Sequence, residues 1–213
     1  MFEASTKKAS VEPEKENFFE MGKGRVNFSL FNGYWKKDFT NPALKNINYK
    51  FSSGKIYGIT GKVGSGKSGL IGAILKEIPY FSGKLEVEGK IAYVEQEPIV
   101  FSDTIQKNIL FGRVYDEIQY DRAITLSCLK ADLTILPGGD QTVIGEKGIT
   151  LSGGQKARLT LARALYGEAD IYLLDDPISA VDSKVAKKIF HDCIKVLGQE
   201  KTVILVTHQI SYI

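Results

Sequence analysis

The sequence predicts an α/β fold: a mainly parallel core sheet flanked by helices, preceded by an antiparallel β-subdomain and interrupted by a helical subdomain. Three observations predict it. Short apolar runs alternate with helical patterns from Lys55 onwards, two segments near the start alternate apolar and polar residues with a period of two, and a long central stretch has helical spacing. A chain of 213 residues is one domain, or one domain with a subdomain, and buries roughly 70% of its unfolded surface.

Residues 1–24 are rich in Lys, Glu and Ser and predict a flexible linker or tail. Val26, Phe28 and Leu30 then alternate with polar residues, and after a turn around Asp38 to Pro42 the set Ile47, Tyr49 and Phe51 alternates again. Both read as half-buried strands paired antiparallel. Lys55 to Thr60 is a short strand that feeds a glycine-rich loop, followed by Leu70, Ile71, Ile74, Leu75 and Ile78 at helical spacing. Ile91 to Val94 is another strand. Helical periodicity from Ile105 to Leu136, carried by Ile118, Ala123, Ile124, Leu126 and Leu129, marks the helical subdomain, about residues 98–155. A helix from Gln155 to Tyr166, a buried strand Ile171 to Leu174, a helix from Ser183 to Leu197 and a strand Thr202 to Val206 complete the pattern.

Composition narrows the classes. Hydrophobic residues make up 43% and charged residues 25% of the chain, as in an ordinary globular protein. No apolar run approaches the roughly 18 residues that span a bilayer, and the opening residues Met1 to Lys8 lack the apolar core of a secretory signal. A net charge of +3 is too small to point to nucleic acid. Cys128 and Cys193 have no metal-ligand spacing and read as reduced thiols buried among helices.

Gly61-Lys62-Val63-Gly64-Ser65-Gly66-Lys67-Ser68 fits the phosphate-binding pattern G-x-x-x-x-G-K-[ST]. Glycines let backbone N–H groups converge on phosphate oxygens, and the loop opens a helix whose positive end favours anions. Lys67 is the candidate for the β- and γ-phosphates and Ser68 for Mg²⁺. The apolar run Ile171-Tyr172-Leu173-Leu174 ends in Asp175, a second candidate for the metal at the carboxyl edge of the sheet.

Leu151-Ser152-Gly153-Gly154-Gln155 resembles the signature motif of ATP-binding-cassette ATPases. On its own the string reads equally well as a helix N-cap or as an anion site, because a serine and two glycines at a helix start offer a hydroxyl, open N–H groups and the helix dipole. With the phosphate loop before it and Asp175 after it, the order is that of the family. The resemblance covers about residues 25–213 and implies a P-loop NTPase cassette. Gly145-Glu146-Lys147-Gly148, Asp170 to Pro177 and Val206-Thr207-His208 look like the first nucleotide-binding domain of multidrug-resistance-protein exporters, subfamily C.

The resemblance implies roles residue by residue. Gln96 matches the glutamine that contacts Mg²⁺ or the attacking water, Ser179-Ala180-Val181-Asp182 the D-loop between paired domains, and His208 the histidine that contacts the γ-phosphate. Trp35 sits where the family places an aromatic that stacks on adenine, with Tyr34 as its alternative. Asp176 occupies the position that holds a general-base Glu in competent sites, which implies slow hydrolysis here. Phe111, in Asn108-Ile109-Leu110-Phe111-Gly112, is either a docking residue for a transmembrane partner or a core residue. The family works with ATP and Mg²⁺ in head-to-tail pairs, so the implied partners are a second nucleotide-binding domain and transmembrane domains of the same polypeptide. They place this chain at the cytoplasmic face of a membrane, which it contacts only through them, with no nucleic acid involved. Family domains continue past the equivalent of Ile213, so the chain reads as C-terminally truncated. A soluble cassette ATPase and a regulatory nucleotide-binding module are the competing functions.

Overall fold

Five-residue strands that are buried from end to end occupy the centre of the protein. The computed structural model describes residues 24–37, 39–145 and 149–208. The expected linker, apart from Gly24, lies outside these residues, as do Asp38, Glu146, Lys147 and Gly148. A four-stranded parallel sheet has the order β3-β7-β6-β5, formed by β3 (Lys55–Ile59), β5 (Ile91–Val94), β6 (Ile171–Asp175) and β7 (Thr202–Val206). The two inner strands read as continuous apolar runs because both of their faces are covered. Ile171 and Leu173 point into one core and Tyr172 and Leu174 into the other, following the period of two.

One face packs against α1 (Lys67–Ile74) and an antiparallel sheet, through Val26, Phe28, Phe51, Ile71 and Ile74. The other packs against α5 (Gly153–Tyr166) and the helix that runs from Ser183 to Leu197 as α6 (Ser183–Ile189), a π-helical turn and α7 (Lys195–Leu197). Cys193 is buried in that π turn and burial pushes its thiol up to about 12. Cys128 is only half-buried and lies in a left-handed turn rather than a helix.

The antiparallel sheet holds β1 (Arg25–Tyr34), β2 (Leu44–Phe51) and a strand absent from the sequence reading, β4 (Tyr80–Glu88), in the order β2-β1-β4. Leu30 does not share the inner face with Val26 and Phe28: it is 63% exposed, while Phe31 is buried. The cause is a bulge. Register shifts on both sides of β1 between residues 28 and 33, and Leu30 takes a left-handed φ of 48°. Gly83 of β4 makes room for it, with φ of 83° and its backbone so close that a Cβ would stand 2.2 Å from the Leu30 oxygen. Tyr49 on the edge strand β2 is likewise exposed, its ring resting on Phe51 with centroids 4.8 Å apart.

Among the described residues the helical insertion holds three short α-helices, α2 (Ile105–Leu110), α3 (Glu117–Leu126) and α4 (Lys130–Ile135), and a 3-10 turn at Gly139–Gln141. Thr104 and Asp116 cap the first two, and left-handed residues at Phe111 and Cys128 end the runs. Ile118, expected on the buried face of the insertion, is exposed.

The bulge predicts a ranking of glycine substitutions. Gly112 also has positive φ but open space around it, so Gly112→Ala should cost about 1 kcal/mol of strain, whereas Gly83→Ala adds a backbone clash and should cost at least about 2–3 kcal/mol. Urea denaturation of the two variants measures this; equal losses would contradict the account of the bulge.

Candidate functional site

Three parallel strands deliver the candidate groups to one edge of the sheet. Beyond β3, residues 60–66 form the phosphate loop and α1 begins at Lys67. Gly66 must be glycine: its φ is 95°, and a Cβ would lie 2.8 Å from the carbonyl oxygen of Ala43. The first N–H groups of α1 have no acceptor within the helix and carry its partial positive charge. Lys67 is folded along the loop, its Nζ donating to the carbonyls of Gly61 at 2.8 Å and Lys62 at 2.9 Å. Ser65 closes the loop by donating its N–H to the Lys62 oxygen, and Ser68 is exposed on the first helical turn. Val63 and Gly64 form the exposed crest.

At the end of β6 come two buried carboxylates, Asp175 as its last residue and Asp176 directly after it. Asp176 takes a left-handed φ of 47°, and its N–H donates to the Val206 oxygen at 2.8 Å. The hydroxyl of Thr207 donates to Asp176 Oδ1 at 3.2 Å, and the Ser179 hydroxyl donates to its carbonyl at 2.9 Å. These bonds tie β6 to β7 through this acid, and Thr207, which the sequence reading names only within Val206-Thr207-His208, holds it. Its signal was available: a polar residue at the end of an otherwise apolar strand.

Burial and then the adjacent Asp176 charge push the Asp175 carboxyl above the usual aspartate value, and Lys67 and His208 pull it partly back. His208 is exposed just beyond β7, within electrostatic range of Asp175. Burial, followed by the charges of Asp175, Glu95 and Glu77, raises the Tyr93 phenol on β5 to about 12, so it stays neutral. Gln96 is exposed two residues past the end of β5, the neighbour of β6.

Trp35 and Tyr34 are separated by the structure. Trp35 is half exposed and shares a pocket with Ala43, Gly64, Gly66, Lys67 and Ser68, its indole edge lying against α1 at Gly72. Tyr34 does not line that pocket; its ring packs edge-on against Phe39 with centroids 5.2 Å apart.

The set Leu151, Ser152, Gly153, Gly154 and Gln155 stands elsewhere, with none of its members lining the phosphate-loop pocket. Ser152 caps α5 in a reciprocal box: its Oγ accepts from the Gln155 N–H at 3.3 Å, and its own N–H donates to Gln155 Oε1 at 3.0 Å. Leu151 is buried beneath, and Gly153 and Gly154 are packed against Ala180, where a Cβ on Gly154 would come within 3.0 Å of the Ala180 oxygen. The stretch Ser179 to Asp182 thus lies against the start of α5, and Asp182 caps α6 by accepting from the N–H groups of Lys184 and Val185.

Magnesium fits the donor set. Among the described residues no group of three or more His, Cys, Asp or Glu side chains could hold a metal by itself, and a hydroxyl at Ser68 with one carboxylate at Asp175 suits an ion that keeps waters and takes phosphate oxygens as its other ligands.

A family model described as "ABC transporter" matches residues 44–179. ATP-binding cassette sub-family C member 4 of Mus musculus is 50% identical over 192 residues, which is 90% of this chain and 14% of that protein. The Homo sapiens protein of the same name is 48% identical over 192 residues, and ABC transporter C family member 6 of Arabidopsis thaliana is 46% identical over 194, each covering 90% of this chain. The chain therefore spans about one seventh of the length of these relatives.

The raised Asp175 carboxyl has a measurable consequence. Because folding holds its pKa above the unfolded value, ionising it at neutral pH counts against the native state, and that penalty vanishes once both states are protonated. Asp175→Asn should raise the melting temperature at neutral pH, with the gain shrinking towards about pH 3. A lower melting temperature at neutral pH would contradict this.

Proposed function

The chain belongs to the ABC transporter family, with relatives in subfamily C, and on that premise we propose that it is the first ATP-binding domain of a multidrug-resistance-type exporter. In this reading it binds and hydrolyses MgATP between its own phosphate loop and the signature motif of a second such domain, and the cycle drives export through transmembrane domains. The observation that carries it is the convergence of Lys67, Asp175, Asp176 and His208 at the carboxyl edge of one sheet, beside the Trp35 pocket.

Trp35 offers a flat face to adenine, the loop N–H groups and Lys67 meet the phosphates, and Ser68, Asp175 and Gln96 hold Mg²⁺. When bound, the ion neutralises charge on the β- and γ-phosphates. His208 faces the γ-phosphate. Closing two surfaces around a nucleotide gives it different affinity for the open and closed pair, which is what drives such a switch. Gly153 and Gly154 of the signature set pack against Ala180 of the D-loop, which puts the two motifs side by side, as suits a patch that completes a site on the partner domain.

Phe111 is an exposed residue, not a core one, and its ring lies beside Phe101 with the Arg163 guanidinium over both, 5.1 and 5.4 Å from their centroids. A rigid exposed aromatic pair is a suitable anchor for the transmembrane partner. Among the described residues no helix is long and apolar enough to cross a membrane. In this reading membrane contact runs through the transmembrane partner, at the cytoplasmic face.

Affinity tests the site. Titrating a fluorescent ATP analogue with Mg²⁺ should show weaker binding for Lys67→Ala and, to a smaller extent, for Trp35→Ala, because the lysine makes a charge-assisted contact. Unchanged affinity in both would remove the basis of the proposal.

Hydrolysis at this chain's own loop is slow in this reading. Asp176 is one methylene (~1.3 Å) shorter than the Glu of competent sites, and a base must come within about 2.6–3.2 Å of the attacking water. Its buried carboxylate is further held by Thr207. In the full transporter, Asp176→Glu should speed ATP turnover and shorten nucleotide occupancy at this site; no change in either would show that Asp176 is not limiting.

A further inference from the structure

We propose that Asp132, on α4 of the helical subdomain, is a positioning residue for the signature motif, acting on Ser152 through Gln155. Asp132 is buried, and its carboxylate takes a two-pronged bond from Arg158, with Nε 2.7 Å from Oδ2 and Nη2 2.8 Å from Oδ1. The pair is close to solvent-free, with side chains 12% and 10% exposed. Gln155 Nε2 donates to Asp132 Oδ1 at 3.3 Å, while Gln155 Oε1 accepts the Ser152 N–H at 3.0 Å.

An ordinary capping box holds the glutamine amide at its oxygen alone. Here both of its ends are engaged, and the carboxylate, which only accepts hydrogen bonds, requires the NH₂ on its side and the oxygen on the Ser152 side. The orientation of the Ser152 hydroxyl and of the first α5 N–H groups is thereby set from another element of the fold. Arg158 has a second effect. It cancels the Asp132 charge, so the network fixes an anion-receiving helix start without placing net negative charge behind it. Its Nη1 also lies 3.3 Å from where a Cβ of residue 154 would stand, which helps to keep that position bare.

This inference rests on the reading that the signature serves a site on the partner domain, so the experiment carries a control for that reading. In the full-length transporter, steady-state MgATP turnover is measured together with photolabelling of this chain's own loop by an azido-ATP. Gly153→Asp is the control: it should abolish turnover. Asp132→Asn, nearly the same shape, should lower kcat roughly tenfold, as expected for losing a hydrogen bond to a charged group, while labelling of this chain's loop is unchanged. Ser152→Ala should lower kcat similarly, and the double variant should be no slower than either single one, since both act through one contact. Arg158→Lys, which keeps the charge but not the two-pronged bond, should behave as Asp132→Asn does and decides the matter if that variant does not assemble. If Gly153→Asp abolishes turnover while Asp132→Asn and Arg158→Lys leave kcat unchanged, or if the double variant loses the product of the single effects, the positioning role is overturned. If Gly153→Asp itself leaves turnover unchanged, the reading of the signature fails and this inference with it.

Discussion

The carboxyl edge of the parallel sheet is the constraint on which the rest of the site depends. In a parallel sheet every strand ends on the same side, so β3, β6 and β7 deliver their next residues to a common region with no long-range folding of loops. Lys67, Asp176 with its neighbour Asp175, and Thr207 with His208 are brought together in this way. The inner strand β7 stands between β3, which feeds the phosphate loop, and β6, which carries the acids, and its end is bonded to both sides: the Thr207 N–H donates to the Ile59 oxygen at 3.2 Å, and its hydroxyl donates to Asp176. Burial of β6 and β7 on both faces keeps that edge rigid.

The arrangement places charge where the fold alone would not. Two adjacent carboxylates are buried at the end of β6, and the first of them is harder to ionise than an ordinary aspartate. A chain shaped only for stability would place neutral groups there. Lys67 and His208 supply part of the compensation, which links the acids electrostatically to the phosphate loop. The start of α5 has the opposite design: the buried Asp132 beside it is neutralised by Arg158, so the positive end of the helix dipole is not offset by that charge.

Much of this was legible in the sequence because the informative signals were local. The phosphate loop, the apolar strand ending in Asp175, and the serine-glycine helix start each lie within a few residues, and each was found where the spacing placed it. What escaped depended on partners distant in sequence. Tyr80 to Glu88 is a strand only because β1 pairs with it, and Gly83 hides its alternation by supporting the bulge. That bulge also moved Leu30 to solvent and Phe31 to the core, a reversal that one extra residue produces and a period of two cannot anticipate. The aromatic next to the phosphate loop was left between Tyr34 and Trp35 for the same reason, since only the packing of Tyr34 on Phe39 separates them. Asp132 gave no local sign at all. It sits between Ala131 and Leu133 on a short helix, and its partners Gln155 and Arg158 come from α5.

The central claim is that the sheet edge and the Trp35 pocket form a single site for a nucleotide and its metal. A crystal structure of the chain with Mg²⁺ and a non-hydrolysable ATP analogue tests it most directly. The account predicts the base against the Trp35 ring, the phosphates on the N–H groups of residues 64–68 with Lys67 turned from its loop carbonyls towards them, and the ion between Ser68 and Asp175. A nucleotide bound away from Trp35, or an ion that leaves Asp175 without contact, would contradict it.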